Sequence, residues 1–554
     1  MEEHNHMKIV IIGSVAAGTS VAAKARRNDE NAEITLYNAD YDISYSICGI
    51  PYFLGGEVDE LETLTPRSAA WFKKRYNVDI HTRHEVIEID PDKKIITVKN
   101  LDTSETKEDS YDTLVFATGA TPITPPIKGV EMDHVFHVRN IQNTASINSF
   151  MVSNNPKKVT IIGAGFIGLE MAEQLTHKGL EVTVVQRSNQ IMPHLDKDMA
   201  FRVEEHIRDN GVNLLLNEEA AVITENTVET KSGNVIESDM VILATGVRPN
   251  TKLATDIGLE LGTSGAIKVN TKMQTNLPDI YAVGDVAESF SVITGKPIYR
   301  PLGSTANKMG RIAGDVITGG DLEHRGILGT GILRVFDLAV GYTGLSEKEA
   351  KEEGFDIEVL HNIKPARAEY LGGKEIVIKA IADRKTSRVL GVQIVGADGV
   401  DKRIDVFVTA ISFKAKAEDL FHLDLAYAPP FSTTKDPVMY TGMALQNAID
   451  KKNKLITPQE LTDRIDNGEK FQIIDTRATK QYEVSNVDGA VNIPLAKLRE
   501  EAKSLDPNLP TVTYCNKGVT GNAAQNVLIN MGFKEVFNLS GGNKNYQSFN
   551  KGKQ

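Results

Sequence analysis

The sequence predicts an α/β protein of several domains, and three observations carry that prediction. Two apolar strands, Lys8–Ile12 and Lys158–Ile162, each run into a glycine-rich turn and then into a helical pattern. Such runs read as buried parallel strands in doubly wound units. From about Leu328 the pattern changes to strand-rich, mixed segments, as in Glu375–Ala380 and Val389–Val395, followed by an apolar helix over Arg403–Ala415. After Asp450 a compact α/β unit of about 95 residues begins.

A chain of 554 residues, with 41% hydrophobic and 25% charged residues, holds roughly three or four cored domains. The formal net charge is −12 and no Lys/Arg block is interleaved with aromatics, so no nucleic-acid partner is expected. No run approaches the roughly 18 apolar residues of a membrane span. The segment Met1–Met7 lacks the charged and apolar stretches of a signal peptide, and Met7 serves equally well as the start of the fold. A cytoplasmic location is expected. There are two cysteines, Cys48 and Cys515, too few for a disulfide scaffold or a cysteine-ligated metal site, and no metal site is read.

In the first unit, Gly13 and Gly18 frame the turn, but Val15 takes the middle glycine position and Ala16 follows it. The next strand ends in Asn38, where an acid would bind a ribose hydroxyl. Cys48 lies about 30 residues beyond the turn, in Ser44–Tyr52. A later strand, Thr113–Phe116, ends in Ala117-Thr118-Gly119. The second unit carries the full G-x-G-x-x-G pattern at Gly163, Gly165 and Gly168, and its glycines allow a tight turn and close approach of a pyrophosphate to the helix N-terminus. Its next strand ends in Gln186-Arg187, compatible with NADPH or with dual use, and a strand over Met240–Leu243 repeats Ala-Thr-Gly at Gly246. Ile280–Ala287 then places Gly284-Asp285 at a strand end, a carboxylate suited to the ribityl hydroxyls of a flavin. Two nucleotide-binding units suggest electron transfer between two bound nucleotides. Basic clusters at Lys24–Arg27 and Lys73–Arg75 suit a small phosphorylated ligand. Asp450–Lys454 reads as a linker, and Thr457-Pro458 with Glu460 as a helix start.

Together these signatures resemble the pyridine nucleotide–disulfide oxidoreductases from about Lys8 to Ala448. The resemblance implies two Rossmann-like domains, for FAD over 7–155 and 255–325 and for NAD(P)H over 156–254. An α+β dimerisation domain over 326–449 and a homodimer follow from it. No second cysteine lies near Cys48, which leaves the single-cysteine branch: CoA-disulfide and CoA-persulfide reductases, NADH oxidases and peroxidases. Oxidases and peroxidases of the family typically carry a histidine where this chain has Ala16. Gly399–Asp405 and Ala426–Phe431 are similar to segments of CoA-disulfide reductases. That likeness implies catalytic roles for Cys48, Tyr427 and Tyr370, the tyrosines reaching in from the partner subunit, and CoA binding by Arg27, Ser44 and Lys74. One departure stands out: Ile47 replaces the asparagine often found before the cysteine.

Beyond a linker at 450–455, residues 456–554 resemble a rhodanese domain. The shared features are Asp475-Thr476-Arg477, Val487–Pro494 and the loop opened by Cys515. In such loops backbone N–H groups and a helix N-terminus face the sulfur. Thr520 stands where the family often has arginine, and Asn486 where it often has histidine. The expected activity is an FAD-dependent NAD(P)H:CoA-persulfide or CoA-disulfide reductase in which Cys515 relays sulfane sulfur. The alternatives are an NADH oxidase or peroxidase, a polysulfide reductase, or a non-catalytic flavin-bearing sulfur carrier or redox sensor. CoA persulfide, CoA disulfide and polysulfide stay open as substrates, as do NADH and NADPH.

Overall fold

The computed structural model describes residues 6–450 and 453–553. Met1–Asn5, Gln554, and Lys451 and Lys452 of the expected linker lie outside the described residues. The chain divides into two compact units, one running to Asn189 and including Gly211–Ile327, the other comprising Gln190–Asn210 and the chain from Leu328.

The first unit contains two five-stranded parallel sheets. In one, Lys8–Ile12 lies between Glu33–Asn38 and Thr113–Phe116, with Asp79–Thr82 and Ile280–Ala282 at the edges. Ile9, Val10, Ile11, Leu114, Val115 and Phe116 are wholly buried, as residues of a sheet covered on both faces must be. The helix Ala17–Asn28 crosses the helix Gly303–Ile317 at very close range. A Cβ at Gly310 would come within 2.4 Å of the Ala17 carbonyl oxygen, and one at Gly314 within 2.6 Å of that of Val21. Lys24 and Asp315 close this crossing with an ion pair at 2.9 Å.

The second sheet is ordered Asn213–Leu216, Glu181–Gln186, Lys158–Ile162, Met240–Leu243, Val135–His137. Its last strand lies within the 7–155 range expected for the first nucleotide unit, yet it pairs with Met240–Leu243. Three residues with no glycine turn carry no periodicity that announces their sheet.

In the second unit a five-stranded antiparallel sheet runs Gly331–Val335, Leu338–Gly344, Val389–Gly396, Glu375–Asp383, Ile357–Pro365. The helix Val400–Ser412 buries Arg403, which is 1% exposed. Its guanidinium donates to Asp436 Oδ2 at 2.9 Å, Ala366 O at 2.7 Å and Gly399 O at 2.8 Å. Burial opposes the charge on Asp436, but the Arg403 hydrogen bonds outweigh it and hold the carboxyl below its ordinary value.

The C-terminal sheet is parallel, ordered Leu455–Ile456, Val536–Leu539, Thr511–Tyr514, Gln472–Asp475, Val491–Asn492. It is fastened to the antiparallel sheet by buried polar contacts. The Leu455 N–H donates to Glu358 Oε1 at 2.6 Å, and the His361 N–H to Ser540 Oγ at 2.7 Å. Below this seam Lys379, 3% exposed, meets Asp196, Asp198 and Glu347 at 3.1, 2.9 and 2.8 Å. Burial works against its charge, but the three carboxylates prevail and raise its pKa. The fold class is the one the sequence predicts: Rossmann-type sheets, a mixed domain and a terminal α/β unit.

Because buried Asp436 would lose its main partner and keep only Ser432, the Val438 N–H and Lys402 at 3.9 Å, Arg403→Met should destabilise the protein by about 2–4 kcal/mol. The check is a marked drop in the thermal unfolding midpoint; an unchanged midpoint would contradict this account of the helix.

Candidate functional site

Both glycine turns sit at the C-terminal edges of their sheets, where ligands bind in open α/β folds. A Cβ at Gly13 would lie 2.1 Å from the Ala117 carbonyl oxygen, and one at Gly18 equally close to that of Gly13. The second turn repeats this geometry: a Cβ at Gly163 falls 2.2 Å from Ala244 O, and one at Gly168 2.0 Å from Gly163 O. Gly165 differs, because a Cβ there meets nothing within 4 Å. It faces open space at the start of the helix Phe166–His177, where a pyrophosphate approaches. Val15 holds the matching place in the first turn at φ 51°, a left-handed conformation costly for a β-branched residue. Its N–H donates to Ile43 O at 2.8 Å, and the Thr19 hydroxyl donates to its carbonyl.

The first Ala-Thr-Gly segment is braced by Asn250, four residues past the second one. Asn250 Nδ2 donates to Thr118 O at 2.8 Å, its N–H donates to Gly119 O at 2.9 Å, and its carbonyl accepts from the Thr118 hydroxyl at 3.0 Å. The Thr245 hydroxyl donates to Ile123 O at 2.8 Å, and Gly246 adopts φ 93°. Gln186 folds back so that Oε1 accepts from Ala164 N–H at 3.0 Å, while Arg187 is exposed beside it. Asn38 does not face outward; its amide donates to Asp40 O and Asp42 O, both at 3.1 Å, and shapes the loop leading to half-buried Ser44.

Cys48 is exposed in the short turn Ile47–Gly49, just before the helix Ile50–Gly55. The crowding protein on its inner side and the carboxylates of Glu170 and Asp285 push its thiol above the ordinary value, and Arg139 pulls it partly back. Arg139 lies 3.8 Å from Asp285, whose own carboxyl is raised by burial. Gly284, at φ 75°, packs against Ala17, so Asp285 stands beside the first glycine turn.

Arg27 donates to the Tyr76 hydroxyl at 3.1 Å and lies over that ring. Lys74 is exposed on the adjoining helix Ala69–Tyr76. Buried Arg26 fixes this helix by donating to Tyr76 O at 2.8 Å and Asn77 O at 3.0 Å.

In the second unit Cys515 is buried, 6% exposed, at the end of Thr511–Tyr514. The Gly518 N–H donates to its Sγ at 3.2 Å, and the helix Val519–Asn530 starts at the next residue. The sulfur therefore sits at the positive end of a helix dipole. The Asn543 N–H donates to Cys515 O at 2.8 Å. Arg477 is spent on Asp475 at 2.6 Å, and Asn486 donates to Tyr482 O at 3.1 Å. Tyr370 and Tyr427 are 78% and 50% exposed, and their loops are joined where Ala368 N–H donates to Pro429 O at 3.2 Å.

The model of the pyridine nucleotide-disulphide oxidoreductase family matches residues 7–307. The chain belongs to that family. Its dimerisation domain matches residues 332–437, and a rhodanese-like domain matches 457–549. The chain is 39% identical to a CoA-dependent NAD(P)H sulfur oxidoreductase of Pyrococcus furiosus, over 79% of this chain and 99% of the relative. Reduced Bacillus anthracis CoADR-RHD superposes with a TM-score of 0.94 at 39% identity, covering 98% of each chain. An NAD-dependent persulfide reductase from A. fulgidus gives 0.87 at 37% identity, over 97% of this chain and 99% of its own. These are oxidoreductases, and so is this protein.

The family uses FAD and NAD(P)H, and the first unit is built to take both. The Ser14 hydroxyl in the first turn is buried without a partner among the described residues, the Asp285 carboxyl is buried at the neighbouring strand end, and Gly165 leaves space over the second turn. Sequence reasoning missed Arg139, Glu170 and Asn250. Each meets its partners from a distant stretch of chain, and none belongs to a motif.

Gly165→Ala should change thermal stability little, because a Cβ there is unobstructed, while raising the KM for NAD(P)H by about tenfold. A raised thiol pKa means less thiolate at neutral pH. Cys48 should therefore be alkylated more slowly at pH 7 than a free cysteine, its rate climbing only once the pH passes the ordinary thiol value. In a Cys515→Ser background, Glu170→Gln should lower that midpoint and speed alkylation at pH 7 by about threefold.

Proposed function

We propose that this protein is a homodimeric, FAD-dependent NAD(P)H:CoA-persulfide or CoA-disulfide reductase with a sulfur-relaying rhodanese domain. One observation carries the reading. Cys48 is the sole cysteine of the oxidoreductase region, it is exposed, and the chain's other thiol is Cys515 in the rhodanese-like region. A dithiol enzyme would form its disulfide internally, whereas here the second sulfur has to come from substrate.

Arg27 and Lys74 supply cations for the CoA phosphates, with Ser44 on the approach to Cys48. The Cys48 thiolate attacks the substrate S–S bond, forming a new S–S bond to Cys48 and expelling the other sulfur as a thiolate. A phenol from Tyr427 or Tyr370 of a second copy donates the proton that the leaving sulfur takes up. The exposed Tyr370, Tyr427 and Phe431, the last 70% exposed, give the dimerisation domain an apolar face that a second copy would cover. FAD held at the Gly13–Gly18 turn and Asp285 would supply a two-electron path from NAD(P)H to the Cys48 sulfur. Arg139 and Asp285 set the charge around that sulfur. Cys515 accepts sulfane sulfur and passes it on, the pantetheine arm of CoA being a fitting carrier. Two unpaired thiols suit a reducing compartment, the cytoplasm, and among the described residues no helix is long and apolar enough to cross a membrane.

The experiment is a substrate panel of CoA persulfide, CoA disulfide, polysulfide and peroxide with NADH and NADPH, scored for sulfide and CoA thiol. Cys48→Ser should cost about 10³-fold or more in turnover of the thiol substrates. Full persulfide reduction by that variant would sink the mechanism. Oxygen or peroxide consumption as fast as thiol turnover would instead establish an oxidase or peroxidase, against which Ala16 counts. A single turnover followed by arrest would identify a sulfur carrier.

A further inference from the structure

We infer that Glu375, which lies outside the rhodanese fold, is a positioning residue of the Cys515 loop: through Lys517 and Lys544 it sets how much positive charge the sulfur experiences. The inference rests on the proposed role of Cys515 as the site where sulfane sulfur is held.

Glu375 opens the strand Glu375–Asp383 of the antiparallel sheet, opposite Pro365 at the end of Ile357–Pro365. Its two carboxylate oxygens reach different segments of the sulfur site. Oε1 pairs with Lys517, two residues past Cys515, and Oε2 pairs with Lys544 at 2.7 Å. Both lysines belong to the wall of the loop. Lys544 follows Asn543, whose N–H binds the Cys515 carbonyl, and its own N–H donates to Asn516 O at 3.1 Å. A Cβ at Gly542 would lie 2.3 Å from Cys515 O, so the two segments touch backbone to backbone. One carboxylate thus holds both sides of the cysteine loop from a neighbouring domain.

The charges facing the sulfur can be followed element by element. The helix Val519–Asn530 presents its N-terminus and the Gly518 N–H. Arg477, at the end of Gln472–Asp475, is neutralised by Asp475, and the Tyr514 hydroxyl accepts from Val487 N–H at 3.1 Å. Lys364, on Ile357–Pro365, lies 4.1 Å from the centre of the Tyr440 ring and has no carboxylate partner among the described residues. Burial and nearby Lys517 depress its pKa, while Cys515 acts to raise it. Lys517 and Lys544 both share Glu375, whose carboxyl stays below its ordinary value because their hydrogen bonds outweigh its burial. Lys517, two residues from Cys515, has its charge offset while it is paired with Glu375; released from the pair, it would add positive charge to the loop that holds the sulfur. An anionic sulfane-sulfur donor, or the persulfide anion itself, competes with Glu375 for that ammonium.

The test uses full-length holoenzyme in a Cys48→Ser background, so that iodoacetamide reports Cys515 alone as pH is varied. Glu375→Gln should speed alkylation of Cys515 at pH 7 by about threefold. Lys517→Met should slow it by a similar factor, and Glu375→Asp should restore the parent pH profile. A merely structural brace would loosen the loop in both variants and move them in the same direction. That result, or no shift in either, overturns the inference. These partly exposed ion pairs contribute little to stability, so the variants should fold. The readout does not depend on turnover. If Cys515→Ser left turnover and products unchanged with every donor, the relay would fall while opposite-signed shifts would still establish Glu375 as a positioning residue.

Discussion

The approach of backbone to backbone at the first glycine turn is the constraint on which the rest of the oxidoreductase region depends. Gly13 and Gly18 let the loop, the following helix and Ala117 meet at distances no side chain would allow. That contact sets the helix Ala17–Asn28 over the sheet edge, and the helix receives Gly310, Gly314 and Gly284 in turn. Asp285 reaches the turn because Gly284 lies on Ala17. The second turn, at Gly163 and Gly168, repeats the device against Ala244. The place of Asp285 beside the first turn follows from these close contacts.

Electrostatics then separates the two thiols. Cys48 is surrounded by crowding and carboxylates that resist its ionisation, and Arg139 offsets them only in part. Cys515 is buried but meets a backbone N–H and a helix N-terminus, groups that favour a sulfur anion. The chain therefore places an exposed thiol beside acids and a buried one beside donors. Access to substrate suits the first, and retention of a reactive sulfur anion suits the second.

Most of the fold was legible in the sequence because glycine turns, apolar strands and helix starts are local signals. The nucleotide-type sheets, the change of pattern near Leu328 and the cap at Thr457 all take the expected form. Val15 shows the limit of pattern matching. The missing glycine looked like a weakness, yet the valine adopts the left-handed conformation and is held there by Ile43 and Thr19. Asn38, standing where an acid would bind a ribose hydroxyl, spends its amide on Asp40 and Asp42, contacts that no local pattern announces. Strand Val135–His137 was too short to place. Arg139, Glu170, Asn250 and Glu375 were invisible for a common reason: each acts on a partner far along the chain, and no spacing rule connects an acid at 375 with a loop at 515.

The seam beneath the C-terminal sheet has a mechanical meaning. Leu455 is tied to Glu358 and His361 to Ser540 across buried polar contacts that would be left unmatched if the sheets parted, and the partly exposed Glu375 pairs add a link to the cysteine loop. A domain held in this way is not a swinging arm on its linker. On the proposed reading of Cys515 as a sulfur holder, a small-molecule carrier rather than domain motion over the antiparallel sheet would move the sulfur.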